Sequence, residues 1–214
     1  MGLNPGAELV ADRLLLIAID DRTGKLRASS EVLSFGLAGG LLVELLLTRY
    51  MALDAQDMPV VHSQWNVTQA LASFHHDILA TMCGEPERLD LDTWVTYLAK
   101  PALGWVSERL AKAGLLKKEW RGYRPQSSAQ AAEPRVRLTH LVTRHEHLAA
   151  VDLALLALTV HAGLREEIVW QHPGRDNPFV DSQLHRLRTD PWLHSLYAVT
   201  AAVDHKISRR AFAH

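Results

Sequence analysis

The amino-acid sequence predicts a mainly α-helical fold carrying one or two small β-hairpins, built as a single domain over residues 1–214. Three observations lead there. Two long apolar runs, Val32 to Thr48 and Leu148 to Leu164, hold one acidic residue each, Glu44 and Asp152, and suit helices buried on most sides. The extended candidates are short. No repeat of fixed period and no sharp compositional break divides the chain.

Glu8 to Ile19 is apolar nearly all round and forms the first predicted helix, closed by the turn sequence Asp20-Asp21-Arg22-Thr23-Gly24. Ser29 or Ser30 can cap the second, because a serine oxygen accepts from the free amides of a first helical turn. The run from Val32 to Thr48 falls short of the about twenty apolar residues of a membrane span. With Glu44 inside it and Gly36, Gly39 and Gly40 along it, it reads as a core helix that a neighbour approaches closely. Met51 to Leu53 and Val60 to His62 make a small hairpin. Helical patterns follow over Gln69 to Met82, Asp92 to Ala99 and Pro101 to Ala113. The last is opened by a proline, which has no amide hydrogen to leave unpaired, and stopped by Gly114. Leu115 to Gly122 and Arg135 to Leu138 are expected as strands flanking a polar loop, Arg124 to Glu133. Helices resume over Thr143 to Gly163, Pro178 to Arg188 and Pro191 to Ser208.

Charge narrows the function classes. Lys plus Arg number 23 against 24 Asp plus Glu, which excludes the basic body of a nonspecific nucleic-acid coat and the acidic excess of a solvating tail. Twelve histidines would carry the balance from −1 to about +11 when protonated, so affinity for anions should rise in mild acid. Cys83 stands alone and closes no intrachain disulfide, which suits a reducing compartment. The opening Met-Gly-Leu-Asn-Pro-Gly has neither the pattern of a secretory signal nor the Ser or Thr at position 6 that myristoylation wants. The expected location is cytoplasmic.

Catalytic and metal signatures are weak. His145 and His147 lie about 200° apart on a helix, unlike the i, i+4 pair of a zinc helix, and His75-His76-Asp77 is adjacent rather than periodic. Gly-x-Ser-x-Gly, phosphate-loop and dinucleotide-turn motifs are absent. The sequence therefore assigns no catalytic residue, no metal and no cofactor. Positive charge is more informative. Lys117, Lys118, Arg121, Arg124, Arg135 and Arg137 stand against Glu119 and Glu133 between Leu115 and Leu138, with Trp120 and Tyr123 interleaved. Arg137, His140, Arg144 and His147 extend that region at helical spacing. Such a surface suits phosphate groups on lipid or nucleic acid, although a merely solvated hairpin fits the same residues. Val106 to Leu116 followed by a hairpin also resembles the end of a winged helix. Only Arg109 and Lys112 are cationic on it, few for a DNA-reading surface.

Three stretches, in order, resemble the Golgi phosphoprotein 3 family, whose eukaryotic members are peripheral Golgi proteins and which has many bacterial relatives. The first runs Ala11-Asp12-Arg13-Leu14-Leu15-Leu16-Ile17-Ala18-Ile19-Asp20-Asp21-Arg22-Thr23-Gly24 and on to Gly36-Leu37-Ala38-Gly39-Gly40-Leu41-Leu42-Val43-Glu44-Leu45. The second is Val106-Ser107-Glu108-Arg109-Leu110-Ala111 with Gly114-Leu115-Leu116, and the third is Asp152 to Leu164. The resemblance implies a non-enzymatic, mainly helical protein, here a bacterial relative, that lies on membranes without crossing them. It also implies recognition of phosphatidylinositol 4-phosphate. The family's headgroup site uses one tryptophan and three arginines, and the corresponding positions here are Ser29, Ala38, Gly104 and Ser107. None matches.

The reading that results is a cytoplasmic protein at the inner face of the membrane, binding an anionic lipid surface or a phosphorylated small ligand. Arg27, Ser29, Trp105, Ser107 and Arg109 are the expected ligand contacts. Lys117, Lys118, Arg121, Arg124, Arg135, Arg137 and Arg144 are the expected contacts with an anionic membrane surface. A winged-helix DNA-binding regulator and an enzyme with an unrecognised site are the rival classes. Protein partners and a homo-oligomer are left open.

Overall fold

The computed structural model describes residues 9–62, 73–120, 122–169 and 177–211. The described residues are mainly α-helical. In chain order they form α1 (Val10–Ala18), α2 (Ser30–Leu47), β1 (Met51–Leu53), β2 (Pro59–Val61), α3 (Ser73–Gly84), α4 (Leu91–Lys112), β3 (Leu116–Glu119), β4 (Gly122–Pro125), α5 (Ser128–Thr143), α6 (Ala150–His161), α7 (Arg165–Ile168), α8 (Pro178–Thr189) and α9 (His194–Ala211), with a 3-10 turn at Pro191–Leu193. The two sheets are antiparallel pairs, β1 with β2 and β3 with β4.

Helix α2 is the axis of the fold. Ser29 caps it by accepting from the amide of Val32, and α1, α4, α6 and α9 pack around it. It is long and apolar enough to cross a membrane, with mean hydropathy 1.7, yet 61% of it is buried inside the protein, as a core helix would be. Its glycines admit those neighbours. A Cβ at Gly40 would lie 3.0 Å from the Cα of Ala11 in α1, and one at Gly39 would lie 2.4 Å from Val203 in α9. Helix α1 is buried along its whole length, and its first turn has no side-chain cap of its own.

Three expectations are corrected here. The predicted break between Ala99 and Pro101 does not exist: α4 runs through Pro101 from its cap at Asp90 to Lys112. The supporting physical reason is tertiary. Leu98, Ala99, Ala102, Val106 and Leu110 are all buried, so packing on both sides of the proline holds one helix across the missing hydrogen bond. The expected strand Arg135 to Leu138 and polar loop Arg124 to Glu133 are instead mostly α5, capped by Ser127 and carrying Pro134 buried inside it. Ala131, Leu138 and Val142 fix its inner face. The hairpin is consequently a tight one, with Lys117 opposite Arg124, Lys118 opposite Tyr123 and Glu119 opposite Gly122. Its tip carries Trp120, 87% exposed, where a polar loop was expected. The other hairpin falls within one residue of its predicted place. The start of the Gln69 to Met82 helix lies outside the described residues.

Candidate functional site

A cavity of about 800 Å³ opens where five parts of the fold meet. The α1–α2 connection contributes Thr23, Gly24, Lys25 and Leu26. The first turns of α2 contribute Ser30, Glu31 and Ser34, helix α4 adds Lys100, Leu103, Gly104 and Ser107, and the second hairpin adds Glu119, Gly122 and Tyr123. Leu15 and Ile19 from the end of α1 complete the lining. The volume is within the about 300–1,000 Å³ usual for small-molecule sites.

Local chemistry makes the walls firm. Asp20 accepts from the amides of Arg22 and Thr23 at 3.1 and 2.8 Å and from the Thr23 hydroxyl at 2.8 Å, which closes the turn beside the cavity. Those bonds, Thr23's amide foremost, hold the Asp20 carboxyl down at about 2. Gly24 follows with φ of +74°, a conformation glycine adopts without strain. On α4, Lys100, Gly104 and Ser107 share a face because they are spaced by four and three residues. Glu31 is paired with Arg210 of α9 at the rim.

A second constellation lies inside the protein. Glu44 accepts from the amide of Ala11 at 2.8 Å, so an α2 carboxylate caps the start of α1, and His75 Nε2 donates to it at 2.7 Å. Arg109 reaches both buried acids, donating from Nε to Asp12 at 2.7 Å and from Nη1 and Nη2 to Glu44 at 3.3 and 3.4 Å. The Arg109 guanidinium also lies over the ring of Phe74, 4.7 Å from its centroid. Burial pushes Asp12 up to about 7, with Arg109 opposing and Glu44 adding to the rise. Burial would raise Glu44 too, but the hydrogen bond from His75, the charges of Arg109 and His75 and the Ala11 amide outweigh it and hold it below the usual range. One guanidinium thus serves two carboxylates, and the less fully hydrogen-bonded one keeps the proton.

The expected ligand residues separate accordingly. Ser107 lines the cavity, and Ser29 caps the helix whose next residue, Ser30, lines it. Arg27 turns to Asp20, Asp21 and Glu167 at 3.2, 3.8 and 3.2 Å. Trp105 stacks on Phe74 with centroids 5.8 Å apart, and Arg109 is taken up by Asp12 and Glu44. This also removes one of the two cations from the DNA-reading surface considered above.

Of the surface cations, Lys117, Lys118 and Arg124 are exposed on the hairpin and make no ion pair among the described residues. Arg135 pairs with Asp21 at 3.4 Å and Arg137 with Asp152 at 3.2 Å, where Arg13 also binds. Arg144 is exposed at the end of α5, and Arg121 lies outside the described residues. No group of three or more metal-type ligands comes together among the described residues.

Sequence reasoning missed Lys25, Lys100, Glu31 and Glu119. The spacing of Lys100 to Gly104 and Ser107 carried a readable signal. The meeting of His75 with Glu44 carried none, because it joins residues on separate elements. A family model described as Golgi phosphoprotein 3 (GPP34) matches residues 10–205. No curated protein matches the chain.

Proposed function

Because the chain belongs to the Golgi phosphoprotein 3 family, we propose that it is a non-enzymatic, single-domain peripheral protein that docks on an anionic membrane surface by its second hairpin, on the cytoplasmic side. The observation that carries this reading is the hairpin itself. Exposed Trp120 stands at the tip of two short strands bearing Lys117, Lys118 and Arg124, and the same hairpin walls the cavity. Tryptophan favours the headgroup layer, having an apolar body and a polar N–H. Each nearby cation adds about 1 kcal/mol of attraction to an anionic surface.

The cavity beside the hairpin is the place for a headgroup or another small ligand, with Ser107 and the capped start of α2 on its walls. The arginines that relatives use for phosphatidylinositol 4-phosphate are absent here, so phosphoinositide recognition at this site would rest on Lys25 and Lys100. Ammonium groups lack the bidentate fork of a guanidinium and hold phosphate less selectively. The non-enzymatic reading is supported by the position of the titratable cluster, since Asp12, Glu44 and His75 are enclosed in the interior instead of facing the cavity.

Flotation with vesicles of phosphatidylcholine and phosphatidylglycerol tests the proposal. Association should weaken sharply as salt is raised and strengthen from pH 7.5 to pH 6. Replacing Lys117, Lys118 and Arg124 together by alanine should lower vesicle affinity about 100-fold, given that about 1.4 kcal/mol corresponds to tenfold. Trp120→Ala should weaken it without changing the salt dependence. Salt-independent association, or none, would reject the membrane role.

A further inference from the structure

The distribution of polarity inside the cavity says which end of a ligand enters first. Leu15 and Ile19 are buried and Leu26 and Leu103 half-buried, and together they form a mainly apolar floor whose polar members are Ser107, Ser34 and Tyr123. The charged lining residues, Lys25, Glu31, Lys100 and Glu119, are all exposed and therefore belong to the rim. Glu31 is neutralised by Arg210, whereas Lys25 and Lys100 make no ion pair among the described residues. A bare phosphate moving to that floor would leave water for a surface without a cation, an unfavourable exchange. Hydrocarbon gains there instead, each buried methylene multiplying affinity by about three to four.

We propose that the cavity binds a single-chain amphiphile tail first, its hydrocarbon on the Leu15–Ile19–Leu26–Leu103 floor and its anionic head between Lys25 and Lys100. This deepens the reading of the cavity given above and rests on it for the place of the ligand. The head can be a carboxylate, as in a fatty acid, or a phosphate, as in a lysophospholipid, because two ammonium groups at the rim accept either. The hairpin that faces the membrane is also a wall of the cavity, so such a molecule has a short path from the lipid surface to the floor.

Binding of octanoate, decanoate and laurate below their micellar concentrations tests the proposal, measured by calorimetry beside glycerol 3-phosphate as a head without a chain. Affinity should climb with each added methylene at one molecule per chain, and glycerol 3-phosphate should bind far more weakly than laurate. Lysophosphatidylglycerol forms the second arm and separates a phosphate-headed ligand from a carboxylate-headed one by its affinity relative to laurate. Gly104→Phe fills the cavity, since a Cβ at Gly104 meets nothing within 4 Å and the fold accommodates it. That variant should lose at least tenfold in laurate affinity while keeping the thermal midpoint of the wild type. Lys100→Ala should weaken laurate about three- to tenfold and leave dodecanol unaffected. Affinity independent of chain length, glycerol 3-phosphate binding as tightly as laurate, or an unimpaired Gly104→Phe variant would overturn the inference. Failure of wild-type flotation with chain-length-dependent binding intact would reject the surface reading and leave the cavity assignment standing.

Discussion

Asp12 and Glu44 share Arg109, and the consequences are measurable at single residues. Asp12 has its folded pKa near 7, above the unfolded carboxylate value, because burial outweighs the guanidinium. The native state then keeps a proton that the unfolded chain releases from about pH 4 upward, so stability from this group is fully present below pH 4 and is lost as pH rises towards 7. The decline is on the order of 3 kcal/mol. Urea-unfolding midpoints from pH 4.5 to 8 should fall for the wild type and stay nearly level for Asp12→Asn. A second expectation concerns the shared cation. Arg109→Ala takes the guanidinium away from both buried acids and should cost about 3–5 kcal/mol of stability, seen as a lowered midpoint at pH 7.5. The residue chosen from the sequence as a ligand contact is, in the structure, paired with two buried acids. Its charge was legible, and its destination was not, because only the folded chain brings Asp12, Glu44 and Arg109 together.

At the scale of elements, close approach explains which glycines matter. A methyl at Gly40 would press on the backbone of Ala11, which is itself tied to Glu44, so neither partner can give. Gly40→Ala should therefore destabilise by about 1–2 kcal/mol even though alanine favours helix by about 1. Gly36→Ala, meeting the far end of the Leu14 side chain at 3.1 Å and Ala162 Cβ at an ordinary 3.8 Å, should cost less than Gly40→Ala. Thermal denaturation of the two variants side by side checks the contrast. The apolar runs announced α2 and α6 because their burial is written in composition. One error fell where Pro101 was trusted as a boundary, the other where the polar stretch before Arg135 was read as a loop. Pro101 and Pro134 both lie inside helices, held there by buried neighbours distant in sequence, and the misread α5 displaced the hairpin tip from Trp120 to a polar stretch.

Across the whole molecule, helix α4 borders two separate pockets. The cavity lies at the start of α2 and the later half of α4, while the start of α4 faces the β1–β2 turn. There His194 pairs with Asp57 and His205 with Asp92, both at 2.7 Å, binding α9 to both. Little more than one turn beyond His205, Arg210 joins α9 to Glu31 at the cavity rim. That pair is half-exposed, so Arg210→Ala should change stability by less than about 1 kcal/mol. It should nonetheless weaken flotation on anionic vesicles, because Glu31 is left uncompensated beside the docking surface. The basic hairpin was visible in sequence as a local excess of charge. The cavity next to it was not, since its walls come from three separate stretches of chain.

Gly24 gives this arrangement a mechanical meaning. Any Cβ there would sit 2.6 Å from the carbonyl oxygen of Tyr123, so the turn leaving α1 and the second strand of the hairpin touch backbone to backbone. A side chain at that point would act as a wedge, prising the basic ribbon away from the helices and widening the mouth beneath it. Pressure applied to the ribbon from outside travels the same route inward, with no flexible side chain between to absorb it.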